Sequence, residues 1–334
     1  MEEVLVLGGN GLLGHATAKE LVDRGYDVTS LALPRKPGQS DVPEGVHALW
    51  NDLNDMTDEE LLEVLKGKHA VFYAIGADER TIPKAPASAF FYDANVLPTQ
   101  RLARLAREAG VKKFVLYGSY TAEMGERWPD LGYRTRNGYP RTRLLQEEVA
   151  EMEGKGEMDV MTLRLPYIFG LVEGQRPLWQ YKIDQVSAPD APVVLPGSTS
   201  AVTVDQVADA AVGAMEHGAD GEKYPINAYD LTYEELTKLA CEAVGRDPED
   251  VVVAPLEAML PAYEAMQKEV DASGLEHGVA LPDTAIFQSR EAVSAPEETA
   301  KLKIREDDVP GAIREVFKWC VDNPVPADEA AQAH

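Results

Sequence analysis

The sequence predicts an α/β protein, a doubly wound parallel sheet with a smaller C-terminal α/β lobe attached. Over the first half of the chain, short apolar runs alternate with helical patterns, as in a sheet built from strand–helix–strand units. The opening run Val4-Leu5-Val6-Leu7 enters Gly8-Gly9-Asn10-Gly11-Leu12-Leu13-Gly14, a strand passing into a helix through glycines. Beyond Pro166 the alternation weakens, and the stretch to Ser200 is rich in Pro, Gly and aromatics.

The strands expected are Val4–Leu7, Val28–Leu33, Val46–Trp50, Ala70–Ala74, Lys113–Tyr117 and Val160–Leu165. Each is a short apolar run of the kind buried on both faces of a parallel sheet. Helices fall between them, notably around Ala16–Val22 and over Asp58–Leu65, Val96–Ala109 and Arg141–Glu153, with Gly110 a natural helix stop. Residues Pro166–Ser200 suit loops and short elements over a pocket. Thr203–Glu216 reads as a further helix against the sheet, and Thr232-Tyr233-Glu234-Glu235 as a capping box opening a helix to Val244 before Gly245. A short strand Val251–Ala254, a Met-rich helix Leu256–Val270 and a closing helix Gly311–Val321 complete the smaller lobe. The expected division gives residues 1–165, joined by 201–228, to a dinucleotide-binding domain, and 166–200 with 229–334 to a substrate-binding lobe.

The 334 residues are 45% hydrophobic, enough for a large core, and carry a formal net charge of -25. Such an acidic surface repels nucleic-acid phosphate and anionic membranes, so neither is expected as a partner. Cys241 and Cys320 sit in apolar helical patterns and read as free thiols. Met1-Glu2-Glu3 has no basic leader character and no apolar run reaches the ~20 residues of a bilayer span. The expectation is a cytoplasmic protein acting on a small molecule.

The glycine turn is the main functional signal. A strand feeding a helix through Gly8, Gly11 and Gly14 presents bare N–H groups and a helix N-terminus where a pyrophosphate can sit. Gly8 serves the tight turn, Gly11 the approach of backbone to phosphate, and Gly14 the packing of helix on strand. This is the Rossmann pattern, with Asn10, Leu12 and Leu13 lying along the cofactor. At the end of the second strand, Leu33-Pro34-Arg35-Lys36 offers no acid for an adenosine ribose. Arg35 and Lys36 are candidates for a 2′-phosphate, which favours NADP and leaves NAD open. Asp52-Leu53 follows the third strand, where the aspartate can bond an adenine amine, and Ala74-Ile75-Gly76 ends the fourth with small residues against which a ribose can lie.

Two segments raise catalysis. Ser119 closes the strand Phe114-Val115-Leu116-Tyr117-Gly118, and Tyr139 and Arg143 stand one turn apart at the start of a helix. A tyrosine beside a fixed cation is expected to have a lowered pKa and to exchange a proton with a carbonyl oxygen. Ser119 would donate a second hydrogen bond to that oxygen; counted from Gly125 the position slides to Tyr120, and Thr121 is a reserve hydroxyl.

On these residues the chain resembles an extended short-chain dehydrogenase/reductase of the NAD(P)-dependent epimerase/dehydratase type. The likeness runs over nearly the whole length, carried by the glycine turn and by Asp52-Leu53, Asn95-Val96-Leu97-Pro98-Thr99 and Ala109–Val115. Leu163-Arg164-Leu165-Pro166-Tyr167-Ile168-Phe169-Gly170 and Val202–Ala208 add to it. The resemblance implies that Pro166, Tyr167 and Ile168 line the nicotinamide, that the C-terminal lobe grips the substrate, and that the protein is a homodimer. It also implies a lysine four residues after the tyrosine, where this chain has Arg143; arginine keeps the charge but is planar, bulkier and never deprotonated.

The reading is an NADP-dependent oxidoreductase moving a hydride between nicotinamide and a carbonyl or alcohol of a small, apolar substrate. Tyr139 would be the proton donor or acceptor, Arg143 the ribose-orienting cation and Ser119 the polarising hydroxyl. Trp128, Tyr133, Tyr167, Phe169, Trp179 and Tyr181 are the aromatic candidates for the pocket. The alternatives are a nucleotide-sugar epimerase or dehydratase, for which Arg176 and Lys182 are the available second-pyrophosphate cations, and a non-catalytic NAD(P)-binding sensor.

Overall fold

A computed structural model describes residues 2–35 and 41–325. The glycine turn joins β1 (Glu3–Leu7) to α1 (Leu12–Asp23), followed by β2 (Asp27–Ala32), β3 (His47–Trp50), α2 (Asp58–Leu65) and β4 (Ala70–Tyr73). Next come α3 (Ala87–Phe91), a π-helical turn at Tyr92–Val96, α4 (Leu97–Glu108), β5 (Lys113–Ser119), α5 (Tyr120–Arg127), α6 (Gly138–Gly154) and β6 (Asp159–Leu165). The remainder is β7 (Tyr167–Phe169), α7 (Gln180–Ser187), β8 (Val193–Val194), β9 (Ser198–Thr203), α8 (Val204–His217), β10 (Lys223–Pro225) and β11 (Tyr229–Thr232). α9 (Tyr233–Val244), β12 (Val252–Val253), α10 (Leu256–Ser273), α11 (Leu281–Gln288), β13 (Glu291–Ala292) and α12 (Val309–Asp322) close the chain.

Seven parallel strands form the main sheet in the order β10-β6-β5-β4-β1-β2-β3. Alternate residues of each strand enter different cores, which is why the strands read as unbroken apolar runs. Val4, Val6, Val115 and Tyr117 join the core under α1 and α8, while Leu5, Leu7, Phe114 and Leu116 join the one under α2 and α4. Chain order reverses between β1 and β4, so their carboxyl ends open the crevice in which such sheets bind ligands. A second sheet, β11-β9-β13 with β7 on β9, and a third core around Phe169, Trp179, Leu236 and Phe317 lie beyond.

The differences from the sequence reading have local causes. β2 stops at Ala32, and Leu33, 59% exposed, lies outside it. The expected helix from Val96 starts at Leu97, because a π-turn precedes it. Thr203 belongs to β9 and caps α8 reciprocally with Gln206. At α9 the Thr232 side chain accepts from the Glu235 N–H, 3.0 Å, but the Glu235 carboxylate takes the Tyr229 hydroxyl, 2.6 Å, so the box does not close. Pro166–Ser200 holds more regular structure than expected, since α7 packs on α9. The Met-rich segment is helical but buries no residue fully. Cys241 and Cys320 are buried free thiols. Among the described residues no helix is long and apolar enough to cross a membrane.

Candidate active site

Gly8 takes φ +81°, the left-handed turn that favours glycine, and its carbonyl accepts from the Gly11 N–H at 2.8 Å. A Cβ on Gly14 would stand 2.2 Å from the Gly8 carbonyl oxygen, so α1 packs on the turn as closely as backbone permits. A Cβ on Gly11 would meet only that same oxygen, at 3.3 Å. α1 begins with no side-chain cap and no acid in its first turn, leaving its leading N–H groups and positive end for an anion. The Gln175 amide donates to the Asn10 carbonyl, tying the segment after β7 to the turn.

β4 ends beside this turn, since Leu7 pairs with Tyr73. Beyond it Ala74, Ile75 and Gly76 line a cavity of about 520 Å³. Buried Asn95 fixes the segment: its Oδ1 accepts from the Ala77 N–H at 2.7 Å and its Nδ2 donates to the Ala77 carbonyl at 3.1 Å. Gly76 sits at φ +145°, and a Cβ there would meet Asn95 Oδ1 at 2.6 Å. Asn95 entered the sequence reading only as part of a shared motif, and its role here was missed.

Ser119, Tyr139, Arg143, Pro166, Tyr167 and Ile168 line the same cavity, as do Leu12 and Leu13. β5 delivers Ser119 at its carboxyl end, where the hydroxyl caps α5 by accepting from the Thr121 N–H at 3.2 Å and lies 2.8 Å from the Thr121 hydroxyl. Of the three hydroxyls considered, Ser119 and Tyr120 line the cavity, and Ser119 lowers the pKa of the Tyr139 phenol. Tyr139 is held by its N–H to the Gly278 carbonyl, 2.9 Å, and by the edge of Phe91, ring centroids 5.3 Å apart.

The expected lowering of the Tyr139 pKa is not what the structure gives. Burial pushes the phenol up to about 12; Arg143 and Ser119 pull it down, while the Glu79 and Asp78 carboxylates add to the upward push. Arg143 stands over the ring, 5.8 Å from its centroid, and donates one terminal nitrogen to the Tyr117 carbonyl. Its Nε is buried without a hydrogen-bond partner. An orphaned guanidinium nitrogen beside a small-residue wall suits a ribose hydroxyl, and with the glycine turn it shows that these residues fit a nicotinamide dinucleotide.

Other sequence candidates fall elsewhere. Arg35 pairs with Asp41 at 2.7 Å and lies over Trp50, 5.5 Å from the ring centroid, while Lys36 is outside the described residues. Asp52 accepts from the Asn54 N–H at 2.8 Å, and the Leu53 side chain is in the core, so neither lines the cavity. Of the six aromatics, Tyr167, Trp179 and Tyr181 line the cavity; Trp128 and Tyr133 pack on Phe287 and Phe169 stacks on Trp179. Neither proposed second-pyrophosphate cation reaches it. Arg176 lies over Trp319 and bonds the Asn323 carbonyl, and Lys182 is buried against Gln185, where desolvation lowers its pKa to about 8. Missed altogether was Asp78-Glu79-Arg80, which follows the small residues beyond β4 and lines the cavity.

The family description "NAD dependent epimerase/dehydratase family" matches residues 4–227. Human sterol-4-alpha-carboxylate 3-dehydrogenase, decarboxylating, is 28% identical over 49% of this chain and 44% of its own, so the match spans less than half of that relative. Sterol demethylase protein B of Methylococcus capsulatus is 25% identical over 75% of this chain and 77% of its own. Among solved structures, gox2253 superposes with a TM-score of 0.76 at 22% identity, covering 97% of this chain and 99% of that one. The dTDP-glucose 4,6-dehydratase DesIV from Streptomyces venezuelae, with NAD and TYD bound, gives 0.68 at 17% identity, covering 96% and 97%. Both solved structures share the fold.

Proposed function

The chain belongs to the NAD dependent epimerase/dehydratase family, and we propose that this enzyme is an NADP-dependent oxidoreductase acting on a carbonyl or alcohol of a small, largely apolar substrate. The observation that carries the reading is the convergence of Ser119, Tyr139 and Arg143 on one cavity with the wall Ala74–Gly76. When bound, the nicotinamide supplies or accepts the hydride. Tyr139 gives its proton to the substrate oxygen in reduction and takes it back in oxidation. Ser119 donates a hydrogen bond to the same oxygen, and the Arg143 cation favours the phenolate and offers its spare Nε to the ribose. The convergence of all three also speaks for turnover over a sensor role.

NADP is preferred because β2 ends without an acid and Arg35 follows it; Arg35 pairs with Asp41, and a 2′-phosphate would have to displace that carboxylate. Tyr167, Trp179 and Tyr181 support an apolar or aromatic substrate. The nucleotide-sugar alternative lacks support in the cavity, since Arg176 and Lys182 are engaged elsewhere. For a sterol carboxylate, suggested by the names of the curated relatives, the cavity offers Arg80, already paired with Asp78, and Arg143, whose unpartnered Nε is assigned to the ribose. Exposed Tyr92, Leu97 and Met152 support a homodimer through α4 and α6.

The test is Tyr139→Phe. Turnover on the best member of a ketone panel should fall by about 10²–10⁴ while NADPH affinity stays within about threefold. Turnover at the wild-type rate would overturn the assignment.

A further inference from the structure

Four charged side chains line the cavity: Asp78, Glu79, Arg80 and Arg143. Three make hydrogen bonds. Arg80 forks onto Asp78, Nε to one carboxylate oxygen at 2.5 Å and a terminal nitrogen to the other at 2.7 Å, and its remaining nitrogen reaches the Leu178 carbonyl at 3.2 Å. Arg143 bonds the Tyr117 carbonyl and covers the Tyr139 ring. The Glu79 carboxylate, half-buried in the cavity wall, has neither a hydrogen bond nor an ion pair with any described residue.

Glu79 lines the cavity together with Tyr120, Tyr139, Tyr167 and Tyr181. Its charge is felt by Tyr120 of α5, Tyr139 of α6, Tyr167 of β7, Tyr181 of α7, Tyr233 of α9 and the loop residue Tyr133, and raises the pKa of each. None of these phenols donates to it. With Asp78 paired to Arg80, and Arg143 turned onto the Tyr117 carbonyl and the Tyr139 ring, Glu79 is the one cavity carboxyl among the described residues left without a hydrogen-bonded partner, and it lies among tyrosines. A group in that position stabilises a donor and repels an anion.

We propose that Glu79 determines substrate class: it accepts a hydrogen bond from a hydroxyl or ammonium group on the substrate and excludes carboxylate-bearing ones. The inference rests on the cavity being the substrate pocket of a nicotinamide enzyme. Desolvation, with Asp78 adding and Arg80 opposing, pushes the Glu79 carboxyl up to about 7, so its charge is complete only above neutrality. The facing groups hold their states meanwhile: the tyrosines are pushed upward, Asp78 is held ionised by Arg80 against the cost of burial, and arginine does not deprotonate in proteins. Exclusion of anions should therefore strengthen as pH rises through neutrality.

The experiment measures binding of benzylammonium, benzyl alcohol and benzoate to the NADPH-loaded protein by calorimetry, in wild type and Glu79→Gln. The ammonium is also drawn to the aromatic faces, which the substitution leaves in place, so the comparison between proteins isolates the carboxylate. At about pH 8 the wild type should prefer benzylammonium over benzoate by at least about tenfold, with benzyl alcohol between, and the variant by less than about threefold. In the wild type alone, benzoate binding should weaken between about pH 6 and about pH 8. Equal binding of all three, binding of none, or benzoate affinity flat with pH would overturn the proposal. Failure of NADPH to bind would instead overturn the cofactor reading on which it rests.

Discussion

Replacing Arg143 by glutamine tests the electrostatics of the site most severely. The guanidinium is buried, 7% exposed, and 5.8 Å from the centre of the Tyr139 ring. With the phenolate charge placed at the ring centre and an effective dielectric of about 20, a unit charge at that distance is worth about 3 kcal/mol, or about two pH units. Oxidation of an alcohol uses the phenolate as base, and Tyr139 titrates at about 12 even with the cation present. Throughout the neutral range the phenolate fraction, and with it the oxidation rate, should fall about a hundredfold in Arg143→Gln. The slope against pH should not change, because both proteins remain far below the phenol pKa. The assay is nicotinamide reduction with the best alcohol of a substrate panel, at saturating NADP, alongside calorimetric NADPH affinity. Affinity should fall too, since the Nε offered to the ribose is gone. Arg143→Lys keeps the charge and should recover most of the rate. Oxidation by Arg143→Gln within threefold of wild type would show that the cation does not act on Tyr139, and the reasoning would fail.

Wild-type oxidation should itself rise about tenfold per pH unit through neutrality, because the catalytic base form is lost as pH falls below about 12. Reduction, which uses the phenol as acid, should stay flat over that range, as pH–rate profiles in both directions would reveal. Gly14→Ala forces a Cβ to within 2.2 Å of the Gly8 carbonyl oxygen. It should lower stability by about 1–3 kcal/mol in denaturant titrations and weaken NADPH binding by at least about tenfold, because α1 must leave the turn. Arg164 is bonded to buried Glu147 at 2.8 Å, with 6% and 1% of the two side chains exposed. Arg164→Met leaves that carboxylate alone in the core and should cost about 3–5 kcal/mol, measured as a lowered denaturation midpoint.

The Rossmann half of the fold was legible because its signals are local. Six strands carry short, largely apolar runs with Gly, Pro or a charged residue within three positions of their ends, and the glycine turn needs only its own residues to declare itself. The seventh strand, Lys223–Pro225, is three residues long and is defined by its partner β6, so no periodicity could announce it. Ser119, Tyr139 and Arg143, singled out in the sequence as catalytic candidates, line one cavity, but the state of the phenol was not legible. Spacing places a cation one turn away; only burial reveals that desolvation outweighs it. Arg176 and Lys182 looked available because a sequence shows charge and not engagement, and both are taken by neighbours distant in the chain or buried on their own helix. Glu79 was passed over for the opposite reason. Between Asp78 and Arg80 it reads as part of a solvated charged turn, and only the fold closes those two on each other and leaves the third facing the tyrosines.

The central claim is that a pyrophosphate rests on the leading amides of α1 and thereby brings a nicotinamide to Tyr139. Calorimetric titration of the wild-type protein with NADPH and with NADH addresses it directly. A single saturable association, tighter for NADPH, is the predicted result; no heat of binding with either nucleotide would contradict the account.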